Sequence, residues 1–298
     1  MEKVLEINHL TKKFGKMTAV DDLSFSVEKG NVYGLLGPNG SGKSTTLGMI
    51  LNVVNPSEGS WRWFGQEHSV DSLKKVGAII ERPNFYPYLS AEKNLQIVAQ
   101  IKGAEHSKIE EKLKIVGLYE RRNDKFSSFS LGMKQRLAIA AAMLNDPHVL
   151  ILDEPTNGLD PQGIIQIREI IQQIAAKGTT IILASHLLDE VEKVCSHVVI
   201  LEKGKTLYYG RVDEMTASFG YFELSSAHNS NLLDVLNSIP AFDKVSENGT
   251  NLKAILKEDL SAEDLNRMLF EKGIVLSHLV KRKESLENQF LQLTKNNY

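Results

Sequence analysis

The chain has 298 residues, 42% of them hydrophobic, with 35 basic and 37 acidic side chains and a formal net charge of −2. It can bury a large core in two domains, and the near-neutral balance gives no field that favours nucleic acid. Cys195 is the single cysteine, which excludes intrachain disulfides and suits a reducing cytosol. Glu2 and Lys3 lead into a strand-like run, not a signal peptide. No apolar segment approaches the roughly 20 residues needed to span a bilayer, so any membrane pore is expected to come from a separate chain.

Residues 5–7 and 23–28 alternate as strands before a turn at Lys29-Gly30. Residues 32–36 form an apolar run, and a helical pattern covers 43–51. Between them stand Gly37, Pro38, Asn39, Gly40, Ser41, Gly42, Lys43, Ser44 and Thr45. This is a complete phosphate-binding loop in the strand–loop–helix setting the motif needs. Its glycines let backbone N–H groups approach phosphates closely, and the helix aims its positive dipole end at the same anion. Lys43 is expected at the β- and γ-phosphates, and Ser44 offers a hydroxyl to the bridging Mg²⁺. Thr45 and Thr46 complete the nucleotide-binding set. A bland Gly-rich turn with a solvated lysine would not need strand, lysine, hydroxyl and helix in this order.

Residues 60–64 read as a strand with Trp61 and Trp63 on one face, a packing pattern that adds an antiparallel β-layer beside a parallel core. Residues from about 82 to 145 read mainly helical, over 91–101, 108–116 and 131–144. Ser130 is a good N-cap, which makes the first turn's N–H groups a second anion site. Residues 149–152 read as a buried parallel strand ending in Asp153 and Glu154. Open α/β sheets bind ligands at that end. Alternation along a strand sends the two carboxylates different ways. Asp153 then serves Mg²⁺, directly or through water, and Glu154 faces the attacking water as a base or orienting group. Two solvated acids at a strand end would be unremarkable alone; the loop upstream argues for the functional pair.

Asn157-Gly158-Leu159-Asp160-Pro161 is a turn with proline opening the next helix, and Asp160 belongs to the expected nucleotide-binding set. Residues 179–183 form a β-branched strand that leaves His186 near its carboxyl end, in position for a γ-phosphate contact. The remaining histidines read as structural or solvated. After Met215 the character changes. Residues 221–224, 242–246, 252–256 and 274–280 read as strands, and 231–237, 261–273 and 285–293 as helices. Asn248-Gly249 is a hairpin signal between the middle strands. The order βαββαβ fits a ferredoxin-like module without a catalytic cluster, an accessory domain for dimer contacts or regulation. Lys281-Arg282-Lys283 reads as a solvated strand end.

With these motifs in order, residues 1 to about 215 resemble the ATP-binding-cassette (ABC) ATPases, the motor subunits of membrane transporters. The resemblance implies an α/β fold: a P-loop NTPase domain over 1–217, with a parallel core sheet, an antiparallel β-layer and a helical insert at about 82–145. A small α+β domain over 218–298 follows it. It implies that Ser130-Leu131-Gly132-Met133 stands for the family's signature, with Ser130 and Gly132 meeting the γ-phosphate held by the opposite subunit. Two copies, in a homodimer or heterodimer, then sandwich two ATP molecules with Mg²⁺. Integral membrane permease subunits are the expected partners, nucleic acid is not, and the place is the cytoplasmic face of the cell membrane. Phe14 is implied to stack on adenine, although an isolated Phe is more often core. Phe85, Tyr86 and Tyr88 are candidates for receiving the transporter's coupling helix, or equally a self-packed loop.

Two positions depart from the family's commonest pattern. The signature reads Ser-Leu-Gly-Met in place of Ser-Gly-Gly-Gln, which is expected to alter the composite site's affinity rather than abolish it. Glu81 stands where most relatives have glutamine, and brings a full charge near Asp153, Glu154 and the triphosphate. It is expected as a Mg²⁺ ligand acting beside the catalytic Lys43, Glu154 and His186. Glu81, the stretch Phe85-Tyr86-Pro87-Tyr88-Leu89-Ser90 and the signature are similar to exporters for bacitracin resistance and lantibiotic immunity. That similarity implies export of a peptide antibiotic or other hydrophobic compound. The alternatives are an importer subunit, or a non-transport ABC ATPase acting on nucleic acid or ribosomes. The single phosphate loop and the lack of long coiled coils speak against the second.

Overall fold

Two twelve-residue strands, β1 (Lys3–Phe14) and β2 (Met17–Glu28), open the chain as an antiparallel hairpin. The structure is a computed structural model and describes residues 2–67, 69–80, 84–215, 219–283 and 285–295. Next come β3 (Val32–Leu36), α1 (Lys43–Ile50), β4 (Glu58–Trp63), β5 (Gln66–Glu67), α2 (Val70–Leu73) and β6 (Val76–Ile79). A helical stretch follows, with α3 (Ala91–Lys102), α4 (Lys108–Ile115) and α5 (Leu131–Ala142). The chain then returns to the core through β7 (Val149–Asp153), α6 (Pro161–Ala176), β8 (Thr180–Ser185), α7 (Leu188–Val194), β9 (His197–Glu202) and β10 (Lys205–Arg211).

The central sheet has the order β10-β9-β3-β8-β7-β6 and is parallel except for the β9–β10 hairpin. Every residue of β3, β7 and β8 is buried, as expected of strands covered on both faces. A second sheet, β2-β1-β4-β5, is antiparallel and lies over α1. Trp61 and Trp63 are buried in the core between these layers, and the Trp63 indole donates to Ile50 O at 2.8 Å, tying the layer to the end of α1. Helix α6 buries Ile167, Ile170, Ile171 and Ile174, the three-and-four spacing of one helical face. On α7, Val191 and Cys195 beyond its end press against β3 at Gly34, and Cys195 is buried.

The chain divides into two compact units, Met1–Arg211 and Val212–Tyr298, so the division falls earlier than the expected boundary at 217, itself among residues outside those described. The second unit contains α8 (Val212–Met215), β11 (Tyr221–Ser226), α9 (Asn229–Asn237), β12 (Phe242–Asn248), β13 (Asn251–Leu256), α10 (Ala262–Glu271), β14 (Leu276–Arg282) and α11 (Leu286–Lys295). Its sheet is antiparallel in the order β12-β13-β11-β14. From β11 to β14 the element order is βαββαβ, the ferredoxin-like arrangement. Phe222, Leu224, Leu252 and Ala254 from the sheet meet Leu232, Leu236, Leu265 and Leu269 from α9 and α10 in a separate core. In the basic run, Lys281 pairs with Asp259 at 2.7 Å and Arg282 with Glu223 at 2.6 Å, ordinary surface ion pairs.

Candidate nucleotide site

Strand β3 delivers the glycine-rich loop at its carboxyl end, and α1 begins directly after it with Gly42 as N-cap. No side chain caps α1, so its first-turn N–H groups remain for an anion. Pro38, Asn39 and Gly40 form the exposed crest, while Ser41 and Lys43 are buried. Ser41 Oγ is buried without a hydrogen-bond partner among the described residues. A Cβ on Gly37 would lie 2.3 Å from Leu201 O, and one on Gly42 2.6 Å from Ala19 O. Only glycine fits at either place. Ser44 is exposed and Thr45 half-buried. Thr46 is buried, and its hydroxyl donates to Gly42 O at 2.9 Å, so its side chain serves the loop's own geometry.

The Lys43 ammonium is held at the centre. It donates to Gly37 O at 2.7 Å and Pro38 O at 3.3 Å, and lies 3.6 Å from Glu154 Oε1. The other Glu154 oxygen, Oε2, is 2.8 Å from His186 Nδ1. One carboxylate therefore joins residues following β3, β7 and β8. Glu154 lies one residue past β7 and has φ +47°, a left-handed conformation costing a side-chain residue about 1 kcal/mol. Bonds from Glu154 N to Ala184 O at 2.9 Å and from Asn157 N to Glu154 O at 3.1 Å hold it there. The expected divergence of Asp153 and Glu154 by strand pleating is corrected: a strained turn, not alternation, sets the second carboxylate. Asp153 is buried at 5% exposure.

Ser44, Asp153, Glu154, Gln135 and Asn157 line one cleft of about 1050 Å³. Ser130 caps α5 by accepting from Met133 N at 3.3 Å. Together with Gly132, it lines a different hollow of about 390 Å³. Asp160 also lines that hollow, and caps α6 by accepting from Gly163 N at 3.0 Å. Gly158 and Leu131 border both spaces. Phe14 stands at the end of the β1–β2 hairpin, 47% exposed, with the Lys12 ammonium 4.8 Å from its ring centroid. Glu81 lies outside the described residues.

The sequence profile described as ABC transporter matches residues 20–157. Over 300 residues the chain is 37% identical to the bacitracin transport ATP-binding protein BcrA of Enterococcus faecalis, across 98% of this chain and 97% of that one. The chain belongs to the ABC transporter ATP-binding proteins. A second relative, the lantibiotic transport ATP-binding protein SrtF of Streptococcus pyogenes, is 43% identical over 68% of this chain and 89% of its own. A solved structure described as the ATP-binding subunit of an ABC transporter superposes with a TM-score of 0.64 at 31% identity, covering 72% of this chain and 92% of that one. The ABC fold and ATPase activity expected from the motifs therefore hold.

For Mg²⁺, the chemistry of the ABC ATPase cleft fits. Mg²⁺ prefers oxygen donors, takes one or two from protein and fills the rest with water and phosphate. Ser44 and Asp153 supply such a pair in one cleft. Two residues were not singled out from sequence. Asn94 on α3 is 1% exposed; its Oδ1 accepts from Tyr86 N at 2.8 Å, and its Nδ2 donates to Tyr86 O at 3.1 Å and Ser90 O at 3.0 Å. It fixes the aromatic loop in which Phe85 meets Phe126 edge-on at 5.1 Å while Tyr86 and Tyr88 stay exposed. A polar residue next to Leu95 on a helix's buried side was the available signal. The second is Gly204, in the β9–β10 turn, whose Lys203-Gly204 pair between apolar runs was a readable hairpin signal.

Proposed function

We propose that this ABC ATPase powers export of a peptide antibiotic or similarly hydrophobic compound, as the relatives named for bacitracin and lantibiotic transport suggest. Cargo would pass through membrane-embedded partner subunits, since no described helix is long and apolar enough to cross a bilayer. The ATPase works at the cytoplasmic face. Lys43 and the loop N–H groups hold the triphosphate, and Ser44 and Asp153, with Glu81, hold Mg²⁺, which neutralises charge on the phosphate oxygens. Glu154 orients or deprotonates the attacking water, and His186 steadies the γ-phosphate. Phe14 carries the adenine.

The observation that carries this reading is the Lys43–Glu154–His186 chain at the carboxyl ends of three adjacent parallel strands. Ser130 and Gly132 line a neighbouring hollow that shares Leu131 and Gly158 with the cleft holding Ser44 and Glu154 but not those two residues themselves. That separation supports a site completed by a second copy, whose Ser130 helix closes on the γ-phosphate. Glu154→Gln is expected to bind ATP, to lower turnover at least about a hundredfold, and to accumulate a dimer in size-exclusion chromatography. Wild-type turnover by that variant would remove Glu154 from the mechanism. A variant that binds ATP and stays monomeric would remove the shared site.

A further inference from the structure

The phosphate loop rests against backbone from two segments remote in sequence. One is β2 at Ala19–Asp21; the other is the Lys203-Gly204 turn joining β9 to β10. The approach is close at three points. A Cβ on Gly42 would sit 2.6 Å from Ala19 O, one on Gly37 2.3 Å from Leu201 O, and one on Gly204 2.9 Å from Ala19 O. Gly204 joins both neighbours by hydrogen bonds: its N–H donates to Ser41 O at 3.1 Å, and its carbonyl accepts from Asp21 N at 2.8 Å. The ion pair of Lys205 with Asp21 at 3.4 Å fastens the same edge. The turn reaches this position because Lys203 and Gly204 both have positive φ, +49° and +84°, as a two-residue hairpin of primed type requires.

A glycine-rich loop is loose by itself, because its backbone has the most freedom to lose. An anion site needs the opposite: N–H groups already aimed. A trans peptide sends its C=O and the following N–H to opposite sides, and the described chain has no cis peptide. Tethering Ser41 O back to Gly204 therefore turns the Gly42 N–H away from the turn, toward the open side of the loop. We propose that Gly204 is a positioning residue for the nucleotide: its amide, through Ser41 O, presets the Gly42 N–H for phosphate. This rests on the nucleotide reading of the loop. It adds a residue outside every motif that identified the site, 162 positions downstream of the Gly42 it orients.

The test compares Gly204→Ala with Gly249→Ala in the full chain. Gly249 also has positive φ, +63°, but a Cβ there meets nothing within 4 Å, so it controls for the strain alone. Gly204→Ala is expected to raise the KM for ATP and the ADP dissociation constant about tenfold, the worth of one well-aimed hydrogen bond, with kcat changed less than about threefold. Hydrogen exchange of the ligand-free protein should quicken at residues 38–44. Gly249→Ala should move none of these. A folded Gly204→Ala protein with wild-type ADP affinity and unchanged exchange at 38–44 overturns the proposal. If alanine at 204 prevents folding, an ester in place of the Lys203–Gly204 amide removes the donor without adding a side chain, and wild-type ADP affinity in that protein overturns it equally. Faster exchange at 38–44 in a protein whose wild type binds no nucleotide would instead uphold the buttress and sink the nucleotide reading.

Discussion

At the scale of single residues, the site is held by side chains spending their bonds on the backbone. Lys43, 6% exposed, is neutralised by Glu154 and two loop carbonyls, since a buried ammonium without partners would be costly. In the proposed nucleotide complex, phosphate oxygens would replace these acceptors and keep the charge paired. Asn94 does comparable work for the loop at 86–90. Asn94→Ala should lower stability by about 1 kcal/mol, because the Tyr86 N–H loses its partner while the Tyr86 and Ser90 carbonyls keep Leu89 N and Asn94 N, and should quicken exchange of the Tyr86 amide. Unchanged exchange there would show that the loop holds itself. The motif residues were legible because phosphate chemistry demands those types in that order. Asn94 was not, because its role depends on a loop folded back onto α3. Glu154's left-handed backbone was hidden as well, since nothing in Asp-Glu-Pro distinguishes a strained turn from a continuing strand.

At the scale of elements, α4 is clamped to the turn before β7 by an ion pair whose ammonium is buried and whose carboxylate is half exposed. Lys112, 3% exposed, bonds Asp146, which also pairs with Lys108. Burial by itself would raise the Asp146 pKa, but the bonds from Lys108 and Lys112 hold it below the usual carboxylate value. The native state therefore gives up this proton more readily than the unfolded chain. The clamp contributes fully above about pH 4 and fades as pH falls through the lowered native value. Asp146→Ala should cost about 1 kcal/mol at neutral pH, because the buried Lys112 ammonium is left with Glu111 at 3.1 Å as its remaining carboxylate, and distinctly less at pH 3. Urea titrations at both values check it; an equal gap at the two would dismiss the ionic account. The elements easiest to foresee were the uninterrupted apolar runs β3, β7 and β8. The full length of β1 and β2 was harder to read, because bulges and positive φ at His9 and Asp22 break the alternation. The β9–β10 hairpin went unassigned although its turn was visible, and with it went the residue that backs the phosphate loop.

At the scale of the whole molecule, each compact unit owns a core. Among the described residues, the later one builds its four-stranded sheet from β11 to β14 and takes no strand from the first. Residues 212–298 expressed alone should therefore melt cooperatively by circular dichroism; a gradual loss of signal would mean that this unit needs the first to fold. The chain's only thiol adds a use of its own. Cys195 is wedged where α7 meets β3, and burial pushes its pKa far above the ordinary range, so alkylating reagents find almost no thiolate. Labelling must wait for α7, which follows His186, to lift from the sheet. The native chain thus carries a silent clock for that motion, and its slowing by added ATP would gauge how firmly bound ligand pins the helix behind the histidine.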